Sequence, residues 1–580
     1  MAPNALDSQL TQLEACRYRF GPHEAVRVVK LLHRLHASRF TDPTSLIRFH
    51  EALLFLRAFP QGPAVVRVTG RILNSFHKKV EALRKGGADM DDFDTFEVSG
   101  IAGTQMEDTL SFDVANWLIK RAPGKVEIAW ENYEPGRELG TTGPRFIPLL
   151  EDDAWVEADT PWRRWLEQAG GKKHYSPSWL IKRFEELPLP PQQKAELYES
   201  LRMPLRWVLE NSAVTRTRNW KPVRKVFYHS EPHGTPLISR SQVSLADELA
   251  RRPPQLTKLS HEQGDDIMEL IREVMLVRYR ELYGTTLGDP RSVVRADLGT
   301  YQAGRGVTIY LWNLPPDRRL PLRAYVAGLT LKNGVPVNYI EAICLCEWME
   351  VGFNTFYTFR GGEAGWIYAQ VLRCLCHRMG TTCVSVYPYQ LGHDNEEAIE
   401  SGAFWFYRKL GFRPGRADLQ RMAEREERKI ATDPKYRTPA RTLKRLAAGH
   451  VFYEFPGSEV GAWDRFSTRN IGLRVSRRMA RDFGGDAARM REHSRRALER
   501  ILFPGNGGVR TSSWTPLEKA AFENFALVLA DVPGLRAWTR EEREALVRII
   551  RAKAKPDEML YLHLTQGHAR LRRALLTLGS

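Results

Sequence analysis

Residues 395–414, NEEAIESGAFWFYRKLGFRP, decide how the middle of the chain is read. Small and aromatic residues cluster over 401–410, Arg408 and Lys409 stand where the helix dipole favours cations, and Gly411 can take the left-handed conformation that ends a helix. The pattern predicts a short helix over 401–410, a stop at Gly411 and a strand beginning at Phe412. Tyr407 then sits on a short helix between two strands, aimed at whatever lies beside it.

Working outward toward the N-terminus, Asn333-Gly334 is a strong two-residue hairpin signal between two β-rich runs, 322–331 and 335–353. The second run ends near FRGGEAGW, residues 359–366, after which Ile367, Val371, Leu372 and Leu375 predict a helix as far as Gly380. Strand, glycine loop and helix in that order expose the N–H groups that suit a pyrophosphate. TTCVSVYPY, residues 381–389, is β-branched and aromatic and reads as another strand.

This order of elements resembles the core of the Gcn5-related N-acetyltransferases over roughly residues 259–419, and FYRKLGF resembles the C-terminal signature of that family. The resemblance implies an α+β fold on a mixed sheet, flanked here by largely helical N- and C-terminal regions. It implies acetyl-CoA or another acyl-CoA as co-substrate, and an amine on a small molecule or a protein as acceptor. It also implies that Tyr407 protonates the departing coenzyme A thiolate and that the loop Arg360, Gly361, Gly362, Glu363, Ala364 and Gly365 holds the pyrophosphate. Arg360 and Gly365 match the family's loop, whereas Glu363 stands where a glycine is usual. Its carboxylate is therefore expected to point away from the anion, toward Arg360 or the amides of the helix. The family's pantetheine-contacting asparagine lies about seven residues before the tyrosine; Glu400 has that spacing, and an extra turn is needed to bring Asn395 back to it.

Transfer of an acyl group from a thioester to an amine needs a base for the nucleophile, a polarised carbonyl and an acid for the thiolate. In the family a backbone N–H at a strand bulge polarises the carbonyl. Alternation along 335–353 puts Glu341 and Glu347 on one face and Glu350 on the other, which makes Glu347 the first candidate base and Glu341 the second. The bland alternative for each is a salt-bridged or solvated carboxylate.

At 580 residues the chain exceeds a single core, and its texture divides it into four stretches. Residues 1–90 read as helices, with Val28, Leu31, Leu32 and Leu35 on one stripe. In 91–255, FEVSGIAG suggests a strand and turn, 110–121 a helix and KVEIAWENY a second strand, before helical spacing returns over 160–250 and a polar connection over 230–260. Gly100 and Gly103 form a G-x-x-G that could approach a ligand or simply turn the chain. The acetyltransferase-like region fills 256–420, and 421–580 is basic and helical.

The N-terminus lacks a signal-peptide core and no apolar run approaches a membrane span, so a cytoplasmic protein without a membrane partner is expected. Six cysteines give no disulfide framework. Five of them lie between Cys344 and Cys383, but their spacing is wrong for structural zinc, and buried apolar thiols are expected. No P-loop, G-x-G-x-x-G, H-E-x-x-H or G-x-S-x-G occurs.

The chain carries a formal charge of +17, about +14 of it from residue 413 onward. Basic helical clusters within 474–555 could neutralise the phosphates of a nucleic acid. A non-catalytic binding module of the same fold is the remaining alternative.

Overall fold

The computed structural model describes residues 5–95, 97–133, 142, 145, 162–171, 176–209, 215–217, 234–279, 299–504 and 511–580. Five helices open it: α1 (Ala5–Cys16), α2 (Pro22–Ala37), α3 (Pro43–Ala58), α4 (Pro63–Asn74) and α5 (Phe76–Lys85). Proline occupies the first turn of α2, α3 and α4, where a missing N–H costs nothing, and Asp42 caps α3 by accepting from Ser45 N at 2.7 Å. The stripe Val28, Leu31, Leu32, Leu35 is buried as its spacing predicts. Helix α3 is buried nearly all round because it also packs against the central sheet.

The next unit is smaller. Strand β1 (Gln105–Thr109), α6 (Phe112–Arg121), β2 (Val126–Ile128), α7 (Trp162–Gly170), α8 (Ser176–Glu186), α9 (Pro191–Ser200) and β3 (Pro204–Val208) surround a three-stranded sheet of order β1-β3-β2. Its core, including Met106, Leu118, Phe184 and Trp207, is separate from the main one. Two expectations are corrected here. FEVSGIAG forms no strand among its described residues; Gly100 and Gly103 take φ of +96° and +95°, which interrupts extension, and the strand starts at Gln105. The supposedly helical stretch 160–250 contains β3, where PLRWV alternates between the core and the surface. A side chain at Gly100 would meet Val277 Cβ at 3.0 Å and one at Gly103 would meet His77 Cα at 3.0 Å, so this G-x-x-G lets chain segments approach one another.

After α10 (Leu245–Ala250), β4 (Thr257–Lys258) and α11 (His261–Tyr279), the chain builds a nine-stranded sheet of order β11-β12-β10-β9-β8-β7-β6-β5-β4. Its members are β5 (Gly299–Gly304), β6 (Val307–Asn313), β7 (Ala324–Lys332), β8 (Val335–Leu345), β9 (Trp348–Thr355), β10 (Cys383–Val386), β11 (Arg413–Pro414), β12 (Val451–Glu454) and β4. The fold is thus mixed α+β. Every residue of β6 and β7 is buried, as expected of strands covered on both faces.

The Asn333-Gly334 hairpin forms as read, with φ of +49° and +78° at its turn. The run 335–353 is not one strand. Cys346 at φ +51° turns the chain, and a second hairpin separates β8 from β9.

All neighbouring strands pair antiparallel except β9 and β10, which are parallel and joined by the crossover helix α12 (Ala364–Met379), closed by left-handed Gly380. The helix expected over 401–410 is two short ones, α14 (Glu396–Glu400) and α15 (Ala403–Arg408), preceded by α13 (Pro388–Leu391). Gly402 at φ +67° breaks the run between them.

The sheet passes residue 420. After α16 (Ala417–Thr432) and α17 (Ala440–Leu446), β12 inserts between β10 and β11, so the boundary drawn there from sequence does not bound the sheet. Helices α18 (Thr468–Phe483), α19 (Ala487–Leu502), α20 (Pro516–Leu529), α21 (Arg540–Lys553), α22 (Glu558–Gln566) and α23 (Ala569–Gly579) complete the chain, with Thr515 and Thr539 forming capping boxes before α20 and α21. One core runs through Leu10, Ile340 and Leu546, joining the N-terminal helices, the sheet and the C-terminal helices. No described helix is long and apolar enough to cross a membrane.

Candidate active site

The site follows from the one parallel pair. β9 and β10 are paired only from Trp348 to Glu350 against Cys383 to Ser385. Beyond that, β9 continues to Thr355 bonded to β8 alone, while Pro388 turns the chain out of the sheet into α13. The gap holds a cavity of about 440 Å³ lined by Asn354, Arg360, Ala364, Gln390, Asn395 and Tyr407, among others. Arg360, Ala364, Asn395 and Tyr407 are brought to one cavity, whereas Gly361, Gly362, Glu363 and Gly365 are not among its lining residues.

Tyr407 is held by a chain of rings. Phe353 lies 4.7 Å from Tyr368, Tyr368 lies 5.6 Å from Tyr407, and Phe412 closes on Tyr407 at 5.7 Å. The residue is 4% exposed and its hydroxyl has no hydrogen-bond partner among the described residues. Burial pushes the phenol above its ordinary value, so it keeps its proton at neutral pH.

The glycine loop is packed by distant parts of the chain. A side chain at Gly361 would strike Tyr18 Oη at 2.5 Å, one at Gly362 would strike Phe59 Cζ at 2.6 Å, and one at Gly365 would meet Arg240 Cγ at 3.0 Å. Glu363 neither pairs with Arg360 nor caps the helix amides, which corrects both expectations. Its carboxylate, with no side-chain exposure, accepts from Arg305 Nε at 2.9 Å, Lys332 Nζ at 3.1 Å and Ile238 N at 3.0 Å. The Glu363 carboxylate is thus not among the groups lining the cavity and is neutralised by two cations. Ala364 opens α12 at the cavity wall, where first-turn N–H groups lack helical partners.

Arg360 points instead to Glu397, with Nη2 to Oε1 at 2.6 Å, and its guanidinium lies 5.6 Å from the Tyr357 ring. Asn395 caps α14, accepting from Ala398 N at 3.1 Å and donating to Tyr389 O at 3.1 Å. The short helix α14 is the extra turn that returns Asn395 to the cavity. Glu397 and Gln390 also line it, and no sequence motif marked them; they reach it only because α13, α14 and α15 fold back.

The two candidate bases separate. Glu347 sits in the β8–β9 turn, not on a strand face with Glu341, and accepts from Trp463 Nε1 at 2.8 Å and Arg572 Nε at 2.7 Å. At about 3.3 Å per residue it stands roughly 23 Å along the strand from Asn354, and it is not among the residues lining the cavity. Glu341 lies in β8 directly opposite Gly352, on the same sheet face. A side chain at Gly352 would come 3.9 Å from Gln390 Nε2, a residue of the cavity wall, whereas Glu341 is not itself among the lining residues. Burial raises the Glu341 carboxyl above the usual carboxylate range, against hydrogen bonds from Tyr325 Oη at 2.6 Å and Tyr339 Oη at 3.2 Å. Glu350 bonds His450 Nε2 at 3.0 Å.

Protein-family models, curated proteins and solved structures give no match to this chain.

All six cysteines are free and buried, and burial pushes the Cys346, Cys374 and Cys376 thiols up to about 12. They behave as apolar filling. Among the described residues no group of three or more His, Cys, Asp or Glu is placed to hold a metal.

Proposed function

We propose that the chain is an acyl-CoA-dependent N-acyltransferase of the Gcn5-related kind, acting on an amine. One observation carries the reading: the cavity between the parted strands β9 and β10 is lined at once by Arg360 and Ala364 of the loop and by Tyr407, whose hydroxyl is unspent. Pyrophosphate would meet the first turn of α12 and exchange with Glu397 as the partner of Arg360. The amine enters beside Gly352, gives its proton to Glu341 and attacks the thioester carbonyl carbon. The carbon–sulfur bond then breaks and the sulfur takes the proton of Tyr407, which removes the charge that drives the reverse reaction.

Calorimetry with acetyl-CoA and longer acyl-CoAs tests the first requirement. Saturable binding, weakened by Arg360→Ala, supports the reading; no binding by the intact chain rejects it. The Arg360–Glu397 pair favours the other outcome, a binding module of the same fold without catalysis, because a carboxylate already occupies the loop's cation. Glu397→Gln distinguishes the two: under the acyltransferase reading it tightens an affinity that the wild type already has.

A further inference from the structure

Outside the sheet, the C-terminal helices carry two adjoining cavities. Helix α18, TRNIGLRVSRRMARDF, holds five arginines against one carboxylate. Arg474, Arg477 and Arg481 lie along one face of it and line a cavity of about 490 Å³. Arg478 lines this cavity and a second one of about 700 Å³, whose mixed wall sets Leu498, Ile501, Leu529 and Leu535 beside the rings of Phe483 and His493 and the side chains of Asp482, Arg489 and Arg536. Those rings stand 5.4 Å apart.

The two acidic side chains lining these cavities are already committed. Asp531 accepts from Arg478 Nη1 at 3.0 Å and Asp482 from Arg481 Nε at 2.6 Å. Arg474 and Arg477 on the first cavity, and Arg489 and Arg536 on the second, have no acidic partner among the described residues. Arg478, 9% exposed, also donates to Ser494 Oγ and Leu527 O at 3.0 Å, yet its Nε has no partner among the described residues. Unpaired guanidiniums at Arg474 and Arg477, beside a hollow with apolar side chains, two further unpaired arginines and two rings at its edge, ask for a ligand that is polyanionic along its length and flat and apolar at intervals.

We infer that this face binds a single-stranded nucleic acid, its phosphates along Arg474 and Arg477 and a base against Phe483 and His493. A duplex satisfies only half of the description, since its base faces are stacked away from the surface. The site is independent of the cavity at Tyr407.

The test is fluorescence anisotropy of the full chain with a labelled single-stranded oligonucleotide across a salt series. Binding should weaken steeply with salt. Arg474→Glu/Arg477→Glu should weaken it at least tenfold and lower the slope of log K against log salt by about 0.7 for each phosphate that is no longer neutralised. Phe483→Ala should cost roughly tenfold with the slope unchanged, the signature of missing base stacking. Because Arg474 and Arg477 are exposed, their replacement leaves the fold intact, checked by circular dichroism. No binding at low salt, equal binding by the double variant, or equally tight binding of the matching duplex would each overturn the inference.

Discussion

The two ends of strand β9 differ in what their side chains have left to offer. At its start, Trp348 stacks on Trp463 at 5.2 Å and donates to Ser385 Oγ at 2.9 Å, and the adjoining Glu347 is held by Trp463 and Arg572. At its end, Asn354 and Thr355 face a cavity, and the nearby Tyr407 hydroxyl is unbonded. The Trp348 indole N–H and the Glu347 carboxylate at the closed end are both spent on contacts within the chain. At the open end Arg360 pairs with Glu397 and Asn395 caps α14, while the Tyr407 hydroxyl has no partner among the described residues, and the difference arises because β10 leaves β9 after three paired residues.

The sharpest way to break this contrast is Tyr407→Phe. Turnover should fall by about 10²–10⁴-fold with acyl-CoA affinity unchanged, since only a proton donor is removed, and stability should move by less than about 1 kcal/mol because the hydroxyl has no partner to strand. Steady-state kinetics with calorimetry measures both, and undiminished turnover would remove the acid from the mechanism.

Next in size is Glu363→Ala. Lys332, 6% exposed, and Arg305 would face each other without a counter-ion, costing about 3–5 kcal/mol in chemical denaturation of the intact chain. A loss below about 1 kcal/mol would mean the loop is not held by this cluster.

Glu341 should reveal itself by pH. As the base it must be ionised, so kcat/KM should rise with pH through a midpoint above the ordinary glutamate value of about 4.3, and Glu341→Gln should abolish that limb. The same shift has the opposite sign for stability. Folded Glu341 binds its proton more tightly than the unfolded chain does, so its contribution is fullest at low pH and is lost as pH rises through the raised value. A profile centred on the ordinary value in both measurements would refute the assignment.

The smallest effect belongs to the closed end. Glu347→Gln should leave turnover unchanged and cost about 1 kcal/mol, because Glu347 and Arg572 are each about one-fifth exposed and water screens the pair. A large loss of turnover would show that the two ends are not separable.

Local sequence determined the Asn333-Gly334 hairpin, the start of α12 beside Gly365 and its stop at Gly380, because each depends on residues within a turn or two of one another. It misread 335–353, since a turn through a left-handed cysteine carries no glycine or proline to mark it and the β-rich run continues on both sides. With that turn missed, period-two alternation carried Glu347 onto a face it never occupies. Only the tertiary structure decided where Glu363 points, because Arg305 and Lys332 reach it from other hairpins; where β12 enters the sheet; and how α14 returns Asn395 to the cavity. Those outcomes depend on charges and strands far apart in the chain, and their energies exist only once the core has brought them together.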